Sequence, residues 1–167
     1  PGNPHHVIQR GVRSIEVFES DADRRLYLSL LTEASARFRL EIIAWCLMTN
    51  HIHVVAVPDD EHGLAKAFAQ THRNYSLHVN RRSGVRGHLF QERFHSCPIE
   101  ADQHLLAVVR YVELNPVRAG MVKSPEAYHW SSASYHVRGT ADPLIGSNPL
   151  LDVVKDWRSF PRPALQG

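Results

Sequence analysis

The sequence predicts an α+β fold: a central, mostly antiparallel sheet flanked by helices. Three observations carry this prediction. Short runs rich in β-branched residues alternate with longer runs whose apolar residues recur at helical spacing. Turn pairs and glycines punctuate the junctions. The resulting order is strand, helix, strand, strand, helix, strand, helix.

The first strand is expected at His5–Arg10, ended by Gly11. Asp21–Phe38 reads as a helix, with Leu26, Leu28, Leu30, Leu31 and Ala34 as apolar positions. Asp21 is placed as its N-cap, ahead of an acidic first turn. Leu40–Met48 reads as a strand and passes through the turn pair Thr49-Asn50 into a second strand. That strand starts at His51 and closes at Pro58, so the two form a hairpin. Leu64–Arg81 is the second helix, stopped near Ser83-Gly84. Leu89–Ile99, with Phe90, Phe94 and Cys97, suits a strand with a polar centre. Ala101–Leu114 is the third helix, and Asn115-Pro116 is expected to end or bend it. From Ser124 onward the chain is richer in Pro, Ser and Gly, with a short helix expected at Leu150–Trp157 and a loose end at Phe160–Pro163.

A chain of 167 residues, 43% hydrophobic and 22% charged, has the composition of one globular domain with a sizeable core. A net charge of +2 permits a nucleic-acid partner without requiring one. No apolar run reaches the length of a membrane span, and no signal peptide is recognised, so no membrane partner is expected. Two cysteines, Cys46 and Cys97, are too few for a disulfide framework. Both fall in expected strands and read as small buried hydrophobes. A reducing, cytoplasmic setting is expected.

The chemistry gathers at His51-Ile52-His53. Side chains alternate across a strand, so the two imidazoles share one face. Burying them on an apolar strand is costly without partners, and a shared divalent cation is one such partner. Tyr111 and Asn115, four residues apart, project from one side of the third helix. If that side covers the histidine strand, His51, His53 and the Asn115 amide oxygen hold a cation, and Tyr111 stands within reach as a nucleophile. A phenol attacks poorly at neutral pH and a phosphodiester repels nucleophiles; a cation answers both problems. Each piece has a plainer reading: a satisfied histidine pair, a core tyrosine, a helix-stopping asparagine. Tyr27, Tyr75, Tyr128 and Tyr135 compete for the nucleophile role, but Leu31, Val79, Ser132 and Gly139 follow them four residues on.

Met48-Thr49-Asn50-His51-Ile52-His53-Val54-Val55 resembles the histidine–hydrophobic–histidine (HUH) motif of single-tyrosine transposases, the IS200-like family. Arg110-Tyr111-Val112-Glu113-Leu114-Asn115-Pro116-Val117-Arg118-Ala119-Gly120 resembles the tyrosine helix of that family, and most of all its REP-associated branch. Pro4-His5-His6-Val7 with Gln9-Arg10-Gly11, Gly87–Phe94, and Trp130-Ser131-Ser132-Ala133 agree in the same order. The resemblance implies a ferredoxin-like (RRM-like) core, consistent with the element order, and a transposase that cuts single-stranded DNA near hairpins, forms a 5′-phosphotyrosine, leaves a free 3′-OH and rejoins strands. It places the nucleophile on Tyr111, the metal ligands on His51, His53 and Asn115, and Mg²⁺ or Mn²⁺ as cofactor. Residues 1–139 would form the transposase domain, with 140–167 as a tail packed on it or partly disordered. A monomer is favoured over a homodimer. Two departures stand out: Thr49 replaces a usual proline, and Val12-Arg13-Ser14 replaces the commoner Gly-Asn-Arg-Arg.

Arg10, Arg13, Arg93, Arg110, Arg118 and Lys123 flank the proposed centre and are candidate phosphate contacts. Arg73, Arg81 and Arg82 extend that set on the second helix, although a solvated charge is an equal reading for any one of them. Trp130 reads as a core anchor ahead of a base-stacking residue. One of His5 and His6 is expected near the metal, because the first strand lies centrally. The competing functional class is an RRM-like nucleic-acid-binding module without catalysis. An RNA-reading module would carry aromatics on its central strand, where this chain carries histidines.

Overall fold

A computed structural model describes residues 2–100 and 102–146 of the chain. The helix expected at Leu150–Trp157 and the Phe160–Pro163 end lie outside the described residues. Four strands form one antiparallel sheet: β1 (His5–Arg10), β2 (Leu40–Leu47), β3 (His51–Pro58) and β4 (His95–Pro98). Their order across the sheet is β2-β3-β1-β4, the ferredoxin-like arrangement. Helices α1 (Asp21–Phe38) and α2 (Gly63–Ser83) cover one face. Helix α3 (Asp102–Arg118) covers the other, with the short α4 (Ala133–Arg138) beside it.

The two faces follow from strand alternation. On β3, Ile52, Val54 and Ala56 enter the core under α1 and α2, which also holds Phe18, Tyr27, Trp45, Phe68 and Tyr75. His51, His53 and Val55 point the other way, and Val55 joins Leu105, Leu106, Val109 and Val112 of α3. β2 serves both cores through a bulge between Ile42 and Ala44. Leu40 and Ile42 before it, and Trp45 and Leu47 after it, all reach the α1/α2 side. The extra residue is what keeps both halves of the strand in phase with the core.

The α1 helix starts one residue earlier than expected in its capping. Ser20, not Asp21, is the N-cap: its hydroxyl accepts from the Asp23 amide while the Asp23 carboxylate accepts from the Ser20 amide. Residues 89–94 are not a strand, although their apolar residues suggested one. Leu89 and Phe90 are buried from a loop, tied down by Val12 N–H to Leu89 O and Gln91 N–H to Arg10 O, both 2.9 Å. Only His95–Pro98 pairs along β1. Cys46 is buried, but Cys97 is exposed on this short edge strand.

Helix α3 runs through Pro116 to Arg118, where a stop or bend was expected. Proline costs the helix one amide donor, to the carbonyl four residues back. Pro116 falls in the last turn, so little helix remains to be disrupted. Ala119 N–H to Asn115 O and Met121 N–H to Pro116 O then close the end, with Gly120 at φ 70° making the left-handed exit. The edge of β2 is covered by the 130–132 segment, through Leu47 N–H to Trp130 O and Ser132 N–H to Trp45 O. Asp142 accepts the Trp45 indole N–H at 3.0 Å and so ties residues 140–146 to the same sheet. Among the described residues no helix is long and apolar enough to cross a membrane.

Candidate active site

His51 and His53 sit at the start of β3 on the face covered by α3. Their ring centroids are 5.0 Å apart. His53 is 2% exposed, and His51 is half-buried. Burial disfavours the charged imidazolium and the two rings repel each other's charge. The His51 pKa is lowered to about 4 by desolvation and by Arg10, and that of His53 to about 3 by desolvation, His51 and His6. Both are therefore neutral at pH 7, the state in which imidazole binds a cation.

Helix α3 delivers Tyr111 to the same place. Its ring centroid lies 5.9 Å from that of His53 at 85°. Tyr111 is 37% exposed, the only exposed tyrosine of the five. Three of the four competitors are otherwise engaged: the Tyr75 hydroxyl donates to Val17 O at 2.6 Å, the Tyr128 hydroxyl donates to Leu47 O at 2.8 Å, and Tyr27 meets His72 in the core. Asn115 stands one turn along, and its Nδ2 donates to the Tyr111 carbonyl at 3.0 Å. Its carbonyl oxygen keeps its acceptor capacity.

The donor set fits a hard or borderline cation. His51 Nδ1 meets Asn50 Oδ1 at 2.6 Å. An amide oxygen only accepts, so His51 carries its proton on Nδ1 and leaves the Nε2 lone pair free. Two imidazole nitrogens with one amide oxygen would suit a borderline ion such as Mn²⁺ better than Mg²⁺, which prefers oxygen ligands. Among the described residues no group of three His, Cys, Asp or Glu is arranged to hold a metal.

The arginines divide. Arg10, Arg13 and Arg93 are exposed and line one groove of about 670 Å³ with Ile8, Gln9 and His95. It adjoins the histidines, because Arg10 is the register partner of His51 and Ile8 that of His53. Arg13 sits in a tight turn over Val12–Ser14 at φ 51°, and Ser14 follows at φ 58°. Two consecutive left-handed residues without a glycine are strained. Arg73 lines an adjoining groove of about 730 Å³ between α2 and residues 87–94. Arg118 is exposed, with its guanidinium over the Tyr111 ring. Lys123 is exposed beyond the end of α3. Arg110, by contrast, is only 8% exposed, and Arg82 pairs with Asp23 and Glu19 at the α1–α2 contact. Arg82 thus ties α1 to α2, and Arg110 is largely shielded from solvent. Trp130 packs between the two cores, as a structural anchor would.

Residues 4–115 match the family profile described as "Transposase IS200 like". That span is more than half of the chain and contains the HUH strand, Tyr111 and Asn115. The chain belongs to the IS200-like transposase family. It is a DNA transposase by that membership. A Haemophilus influenzae protein named for the REP-associated tyrosine transposases is 26% identical over 141 residues, covering 78% of this chain and 80% of the relative. The solved structure of a REP-associated tyrosine transposase bound to a REP hairpin superposes with a TM-score of 0.65. It is 18% identical and covers 88% of this transposase and 87% of its own chain, so it shares the fold.

One site feature was only loosely legible in the sequence. His6, on β1, joins the centre: its Nε2 lies 3.0 Å from His53 Nδ1, and its ring centroid 6.1 Å from that of Tyr111. The signal was His6 in a central strand, but its phase against β3 depends on a register that no single strand reveals.

Proposed function

We propose that this transposase cleaves and rejoins single-stranded DNA through a covalent bond to Tyr111, with His51, His53 and Asn115 holding Mg²⁺ or Mn²⁺. The observation that carries this reading is the meeting of the exposed Tyr111 ring with His53, 5.9 Å apart. The Tyr111 oxygen attacks the scissile phosphorus as the phenolic proton leaves. The bond to the 3′ oxygen breaks, and that oxygen takes up a proton as a free 3′-OH. The 5′-phosphotyrosine retains the bond energy, so another 3′-OH can reverse the step and join a different strand. A bound divalent cation would neutralise charge on the phosphate and stabilise the departing oxygen. Arg10, Arg13 and Arg93 guide the strand along the groove beside His51, and Arg118 meets phosphate next to Tyr111.

Hairpin-containing single strands, REP-like or at the ends of a mobile element, are the proposed substrate. The fold shared with a hairpin-bound relative supports this. One chain brings Tyr111 to its own His53, so the proposed site is complete in a monomer.

A denaturing gel tests the reading. Hairpin DNA labelled at its 3′ end is incubated with Mn²⁺ and either the wild-type protein or Tyr111→Phe. A protein-linked band that the variant lacks is the expected result. Cleavage that persists in the variant overturns the tyrosine mechanism. Binding without cleavage by either protein, across several hairpins, would favour the RRM-like binding module instead.

A further inference from the structure

The His6–His53 contact has a geometry that restricts where protons lie. His6 Nε2 and His53 Nδ1 are 3.0 Å apart, and the rings are inclined by only 20° with centroids 5.2 Å apart. That separation is the nitrogen–nitrogen gap plus roughly one ring radius on each side. The imidazoles therefore lie edge to edge, nearly coplanar, with the hydrogen bond in the plane of both rings, where the lone pair points. They are not stacked face over face. Two neutral nitrogens facing each other share one proton, so one ring donates and the other accepts.

The two alternatives differ in what they leave for the site. If His6 donated, His53 would carry its own proton on Nε2 and would have no lone pair there. If His53 Nδ1–H donates, its Nε2 lone pair is free. His51 shows the second pattern without ambiguity, because its Nδ1 partner is the Asn50 oxygen. Each histidine of the pair is thus anchored through Nδ1 by a neighbour outside the pair.

We propose that His6 is a positioning residue, accepting the His53 Nδ1–H bond so that His53 presents its Nε2 lone pair to the cation. The sheet register makes this possible. His6 lies on the same face as His53, opposite Val55 and one diagonal step away, since Ile8 is the partner of His53. Diagonal neighbours on one face are within reach of long or aromatic side chains. His6 also lies at 74° to the Tyr111 ring, so it lies beside both the nucleophile and the ligand. The inference rests on the reading of His51 and His53 as metal ligands.

The test is long-range ¹H–¹⁵N NMR on the full chain labelled at histidine, without metal, in which the two neutral tautomers give distinct patterns. His53 is expected in the Nδ1–H form in the wild type. His6→Leu removes the acceptor, and His53 should shift toward the Nε2–H form. His6→Gln keeps an oxygen acceptor and should preserve the Nδ1–H form. Mn²⁺ affinity, read by water-proton relaxation, is expected to fall about 10- to 100-fold in His6→Leu and to recover in His6→Gln. A wild-type His53 in the Nε2–H form overturns the proposal. So does unchanged Mn²⁺ affinity in a folded His6→Leu protein, or a Zn²⁺ titration in which a His6 nitrogen shifts as a direct ligand. If wild type binds no Mn²⁺, the metal reading fails, while the metal-free spectrum still decides the role of His6.

Discussion

The guanidinium of Arg118 lies over the ring of Tyr111, 4.8 Å from its centroid. Seven residues, two turns of α3, separate them, so cation and ring occupy one side of the helix. Such a contact steadies the ring by about 0.5–1 kcal/mol at an exposed site. It also puts a positive charge beside the place where a phosphate would meet the hydroxyl. Arg118→Ala is expected to slow single-turnover cleavage by roughly 10- to 100-fold. Arg118→Lys should recover part of this, because the charge returns without the planar stack. A rate equal to wild type in Arg118→Ala would reduce Arg118 to a packing residue.

If His51 and His53 hold the cation as proposed, they set the acid limit of its binding. With pKa values lowered to about 4 and about 3, His51 and His53 stay neutral well below the range of an ordinary histidine. A lowered pKa means that the cation-binding form persists as pH falls. Mn²⁺ affinity measured at pH 5.5 is therefore expected within about threefold of its value at pH 7.5. A drop of tenfold or more across this interval would mean that the imidazoles titrate like free ones.

His72 links acidity to stability rather than to metal. It meets the Tyr27 hydroxyl at 3.0 Å and lies 4.3 Å from Phe90, and desolvation lowers its pKa to about 3. The unfolded chain binds this proton near pH 6.5, the folded chain only near 3. The stabilisation is complete above pH 6.5 and declines as pH falls toward 3. The limiting slope is about 1.4 kcal/mol per pH unit, reduced because part of the ring meets solvent. Urea titrations between pH 6.5 and 4 should show a shallower decline for His72→Gln than for wild type.

The arginines separate by salt dependence. Each of Arg10→Ala, Arg13→Ala and Arg93→Ala should lower the magnitude of the slope of log affinity against log salt for single-stranded DNA by about 0.7. Arg110→Ala should leave that slope unchanged and lower stability by about 1–3 kcal/mol, because its side chain is buried. If Arg110→Ala behaved like the groove variants, its burial would not hold in the DNA-bound protein.

Glu113 anchors the back of the tyrosine helix. It is 1% exposed, accepts a 2.7 Å hydrogen bond from Ser132 and pairs with His136 of α4. Removing one partner strands the other in the core. Glu113→Ala is expected to lower unfolding free energy by about 3–5 kcal/mol in denaturant titrations. Cleavage at a temperature where the variant is folded should suffer less than in Tyr111→Phe.

Much of this arrangement was legible because alternation and helical period are local. β1 and α1 fall on their expected residues, and the His51-x-His53 face follows from alternation alone. What was missed depended on distant partners. Leu89 and Phe90 have a strand's composition, yet beyond a single bridge between Phe90 and Gly11 they form no ladder. Pro116 carries a stop signal, but it stands where only one turn was left to break. Arg110 reads as a basic residue beside Tyr111, and only the helix phase shows that its side chain is buried. Cys97 has the look of a core residue, but a four-residue edge strand leaves it exposed.

The two faces of the sheet carry unequal duties. Packing under α1 and α2 is aromatic and apolar, whereas His6, His51 and His53 occupy the opposite face, with His6 beside Val55 and the other two beyond it. Substitutions in the imidazole cluster therefore leave the larger core untouched. If those histidines carry strand cutting as proposed, a lineage of such chains can lose it by drift at a few positions while keeping a sound scaffold and its arginine groove. Decay of the chemistry and decay of the fold would run on separate clocks.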